Sequence, residues 1–177
     1  MPTTERSNPV AEDTVEEPGS DPLAEIDRLM QKRCADAQRS TERSAQLSVD
    51  RSRFSTDFAS ACEHVIRPAM DAVLGRLRRN GGGGVIDERP ADRQGKSHRL
   101  VLWMSLEGEV DGAPREDRHP YLRLDADVEK RSVTVSEGDM WQGRGGRSGK
   151  TGEWQLAEIT AALVTGEILA VLRRSFG

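Results

Sequence analysis

From Leu23 onward, apolar residues recur at three- and four-residue spacing. Leu23, Ile26, Met30 and Ala37, then Leu47, Phe54, Phe58, Ala61 and Val65, fall on one heptad seam. The same register puts Arg33, Ser40, Ser44 and Arg51 on that seam. The stripe is therefore apolar at both ends and polar between about Arg33 and Asp50. This pattern predicts a long helix over residues 21–67. Asp21 can cap its free N–H groups, and Pro22 suits the first helical position, where an N–H would be unpaired anyway. An imperfect two-chain coiled coil fits the pattern. A helix folded back on itself also fits, if the polar middle is a loop. Pro68 then removes a backbone donor, which predicts a kink near that residue. Beyond it, Met70, Val73, Leu74 and Leu77 form another apolar stripe. Arg76, Arg78 and Arg79 suit the negative helix end, and Asn80-Gly81 supplies the stop.

After Gly81–Gly84 the period changes from helical to alternating. Val85-Ile86 begins a short strand that Pro90 ends. Arg99–Leu106 alternates, with Leu100, Leu102, Met104 and Leu106 on one face. From Tyr121 to Val128, residues Leu122, Leu124, Ala126 and Val128 point inward, and Tyr121, Arg123, Asp125 and Asp127 point outward. Val133-Thr134-Val135 returns the chain as a hairpin. Residues 136–152 read as a glycine-rich loop. A last helix runs from about Glu153 to Arg174, with a broad apolar face formed by Leu156, Leu163, Val164, Ile168, Val171 and Leu172. The fold class is α+β: a long N-terminal helix, a four-stranded antiparallel sheet, and a C-terminal helix packed on one face. The expected organisation is an acidic disordered tail (1–20), the long helix (21–67) and a compact α+β domain (68–177).

Composition adjusts this picture. Of the 177 residues, 35% are hydrophobic and 32% charged, so part of the chain is not committed to a core. The net charge of −4 gives no global attraction to nucleic acid or anionic lipid. Residues 1–22 hold six acids and one base, while residues 23–80 hold eight acids and eleven bases. Cys34 and Cys62 would lie about 42 Å apart on a straight helix, so they read as free thiols of a reducing compartment. Met1–Ser20 has no apolar core of a secretory signal, and no apolar run reaches the roughly 18 residues of a membrane span. The expected location is the cytoplasm. Twenty-two arginines against four lysines point to GC-rich, bacterial-type coding.

Candidate chemistry is sparse. Gly143–Thr151 looks like a phosphate-binding loop, but its first glycine is one place too early, and too little chain follows for the parallel strands such a domain needs. A looser reading survives: Arg144, Arg147 and Lys150 on a glycine-rich loop could hold phosphate or an acidic peptide, with Trp141 beside them. The plainer reading of the same residues is a solvated loop and a core-edge tryptophan. Asp125, Asp127 and Glu129, with Glu137 and Asp139, could attract a divalent cation, but alternating charge is also what an exposed strand face requires. His64, His98 and His119 lack partners at metal-ligand spacing, and Cys62 beside Phe58 and Val65 reads as core. Interleaved arginines and acids on the long helix describe a solvated surface better than a nucleic-acid track. No cofactor is implied.

The leading expectation is a non-enzymatic interaction or scaffold protein. It would pair with a second copy or a partner helix through Leu23, Ile26, Met30, Leu47, Phe54, Phe58 and Val65. The alternatives are a small anion- or nucleic-acid-binding module built on the 143–151 loop, and an enzyme without a recognisable constellation.

Overall fold

A computed structural model describes residues 22–91, 97–110, 112–140 and 145–176. The expected tail (1–20), Trp141 and Arg144 lie outside the described residues. The chain divides into two units, residues 1–45 and 46–177, and the division falls inside the first helix.

Helix α1 spans Pro22–Ala61. No glycine interrupts it, and alanine, arginine, glutamate and glutamine favour it locally. A π-helical turn, Cys62–Ile66, follows directly and leads into α2, Arg67–Arg79. In this turn the Arg67 N–H donates to the Cys62 carbonyl, five residues back. Pro68 comes next. In a regular helix its ring would crowd the carbonyl four residues earlier. A widened turn just before it is a recognised way to relieve such a clash while the helix continues. The break expected at Pro68 is therefore a one-turn adjustment.

The second unit is built on a five-stranded antiparallel meander: β1 (Gly83–Arg89), β2 (Arg99–Ser105), β3 (Tyr121–Asp127), β4 (Ser132–Gly138) and β5 (Ser148–Trp154), paired in chain order. One face carries Leu100, Leu102, Met104, Leu122, Leu124, Val133 and Val135, all essentially inaccessible. These residues join Phe54, Phe58 and Cys62, Ile66, then Met70 and Leu74 of α2, in one core cluster. The last helix, α3 (Ala161–Phe176), adds Val164, Ile168 and Val171 to the same cluster. The helices of this unit thus cover one face of the sheet.

Two expectations change here. The sheet has five strands, not four, because Ser148–Trp154 is a strand where the sequence reads as the end of the loop and the start of the last helix. Its glycines give it little intrinsic strand preference, but β4 offers an open row of backbone groups that an added edge strand satisfies. A register shift at Val135/Ser136 accommodates the pairing. Since Trp154 still pairs with Val133, α3 begins at Ala161, not Glu153. Thr160 marks that start, its hydroxyl accepting the Leu163 N–H at 3.1 Å. Second, Tyr121 faces away from the helices as expected, yet it is buried, in a smaller cluster with Val101 and Trp103. Gly138 sits directly opposite Tyr121 across the β3–β4 pair, where a Cβ would collide with the ring.

Candidate functional site

The residues proposed for self-association separate into two environments. Phe54 and Phe58 are buried and Val65 is half-buried against the same core, so these three serve the chain's own fold. Phe58 stacks with Phe54 at 6.5 Å and meets the His98 ring edge-on at 5.2 Å. Leu23, Ile26 and Met30 are 69%, 54% and 55% exposed. Leu47 is also exposed, as are Leu29 and Val49, which the heptad register did not select. From Leu23 to Val49 no side chain is buried, and only Ala35 is even half-buried. Beyond that stretch, Asp50 pairs with Arg131 at 3.1 Å and Arg51 with Glu129, which fastens this end of α1 to the β3–β4 hairpin.

Arg147 and Lys150 line a groove of about 490 Å³ between the β4–β5 edge and α3. Three acids share it: Glu137, Asp139 and Glu167. Arg174 also lines the groove, forms an ion pair with Glu137, and lies 3.8 Å from Asp139. Lys150 is held 3.1 Å from Glu153, a residue of its own strand. Burial pushes the Glu137 carboxyl above the usual carboxylate range, and the adjacent Glu167 carboxyl pushes it further, against the pull of Arg174. Three cations facing three carboxyl groups give an anion no net attraction. Lys150 and Thr151 lie in β5, whereas a phosphate-binding loop would have them opening a helix.

The other chemistry-bearing residues take part in structural pairs. Asp125 lies 2.5 Å from Arg99 and 3.1 Å from Arg123, and Asp127 lies 3.5 Å from Lys130. Among the described residues, no group of three His, Cys, Asp or Glu side chains is placed to hold a metal ion. His98 is buried, its Nε2 3.0 Å from Glu88, and Arg67 holds the same carboxylate at 2.8 Å. Arg67 keeps Glu88 below its ordinary range, with His98 assisting. Burial pushes the Cys62 thiol up to about 12, so it is neutral and not a nucleophile near pH 7. The His119 Nδ1 accepts the Arg115 N–H at 3.2 Å within a loop.

A second groove, about 470 Å³, runs between α2 and α3. Ala72, Val73, Leu77, Leu169 and Leu172 line it, with Arg76 of α2 and Asn80 just past its end among the polar members. Leu169 is 43% exposed. Sequence reasoning did not identify this groove. The signal was the breadth of the α3 apolar face, which exceeds what one sheet contact can cover.

Comparison with known proteins finds no match: no family model fits the chain, and no curated protein or solved structure is similar to it. Among the described residues, no helix is long and apolar enough to cross a membrane.

Proposed function

We propose that this protein is a non-enzymatic interaction or scaffold protein that associates with a second copy of itself through the exposed first part of α1. The carrying observation is the run from Leu23 to Val49, helical throughout yet without one buried side chain, and bearing Ile26, Leu29, Met30, Leu47 and Val49 in solvent. In proteins most of a helix's stability comes from packing an amphipathic face and not from propensity, and this stretch buries no side chain in its own chain. Packing an apolar face against a partner is the usual remedy. Fully burying a side chain such as Ile, Leu or Met is worth about 1.5–3 kcal/mol. The cost of association consumes much of that gain, so the expected affinity is micromolar, not nanomolar.

The anion-binding alternative draws less support, because Arg147 and Lys150 share their groove with Glu137, Asp139 and Glu167. The test is co-purification of two differently tagged full-length copies. The wild-type pair should co-purify, and a pair carrying Ile26→Glu and Met30→Glu should not. Equal recovery of both pairs would refute the role given to this face.

A further inference from the structure

The exposed apolar residues of α1 fall in short patches, with Leu47 and Val49 well separated from the first. Ile26, Leu29 and Met30 lie within about one and a half turns, and the seam beyond them carries Arg33, Ser40 and Ser44. Two α1 helices paired in parallel along their length would set Arg33 against Arg33, a like-charge contact at a position that needs an apolar residue. A short apolar helical face at three- and four-residue spacing is instead suited to a short groove. The α2–α3 groove has that character: it is lined by Val73, Leu77, Leu169 and Leu172, and its volume of about 470 Å³ lies within the usual size of a binding pocket.

Charge matches as well. Residues 1–30 carry eight acids and two bases, with Glu25 and Asp27 flanking Ile26. The groove has Arg76 in its wall, Arg79 stands in the last turn of α2 and Arg173 in the last turn of α3, while Arg78 and Arg174 of those same turns are paired with Glu109 and Glu137. An acidic segment approaching this basic end meets attraction at the rim and apolar contact in the floor.

We infer that the α2–α3 groove of one copy receives the Ile26–Met30 face of α1 from a second copy. This inference rests on the self-association reading above and names its receiving surface. A reciprocal exchange would satisfy both grooves in a closed pair.

The experiment is crosslinking with a short bismaleimide in the full chain carrying Cys34→Ser, with Met30→Cys and Leu169→Cys introduced singly and together. Cys62 is buried and does not compete. The expected result is that most of the double variant runs as a covalent dimer on a denaturing gel, while each single variant stays at background. Dimers formed by Met30→Cys alone would mean that α1 pairs with α1, and would overturn the inference. A bridge closed within one chain would overturn the second copy as occupant. A double variant that stays uncrosslinked, although its uncrosslinked form has a dimer's mass, would remove the groove but keep the self-association. A chain that is monomeric at every concentration would remove both.

Discussion

Replacing Phe58 by alanine separates the two environments along the N-terminal helix. Phe58 is wholly inaccessible, stacked on Phe54 and set edge-on against His98. Its ring fills space that the sheet, α2 and α3 cannot easily close around, because Ile66, Leu100 and Leu124 in the same cluster are themselves fully buried. Truncating a buried phenylalanine costs about 3–5 kcal/mol, a large part of the roughly 5–15 kcal/mol that holds a typical domain folded. With a urea slope of about 2 kcal/mol per M, the unfolding midpoint should fall by about 2 M. The assay is urea unfolding followed by circular dichroism, in a Met30→Glu background so that pairing does not contribute. In that background the loss should not depend on protein concentration. Met30→Ala, tested in the otherwise wild-type chain diluted well below micromolar, should shift the midpoint by less than about 0.5 kcal/mol in equivalent stability, as for an ordinary surface change. A Phe58→Ala loss below about 1 kcal/mol would refute the placement of Phe58 in the chain's own core.

Two further outcomes are expected. Glu137 is held above its ordinary pKa, so the stability it contributes is present at acid pH and is lost as pH rises through its folded-state value. Glu167→Gln removes a neighbour that raises it; a urea-midpoint series from acid to neutral pH should therefore decline less in the variant than in the wild type, and identical slopes would contradict the pairing. In a thiol titration with an aromatic disulfide, the native chain should release one equivalent, from exposed Cys34, and the unfolded chain two, because Cys62 is buried and its pKa stands at about 12. Two rapid equivalents from the native chain would contradict that burial.

The elements that could be read from the chain were those whose local pattern and tertiary role agree. β2 and β3 alternate cleanly because one face meets the helices, and Leu100, Leu102, Leu122 and Leu124 are buried as that alternation predicts. The α1 start and the Asn80-Gly81 stop follow from backbone chemistry that needs no tertiary context. β5 was not legible, since Ser148–Trp154 becomes a strand only through its pairing with β4. The heptad reading joined Leu23 to Val65 in a single seam, although the residues differ in what they meet. Phe54, Phe58, Cys62, Ile66, Met70 and Leu74 form an unbroken row at four-residue spacing that passes straight through Pro68. That row belongs to a helix lying on a sheet, and it was the available sign that this part of the stripe is core. The α2–α3 groove depends on how two helices distant in sequence come together, which periodicity within either one does not reveal.

The most direct test of self-association is the mass of the full chain by sedimentation equilibrium across a concentration series spanning the micromolar range. The predicted result is a reversible approach to twice the 19.5 kDa chain mass, abolished by Ile26→Glu with Met30→Glu. A mass of one chain at every concentration would contradict the proposed function.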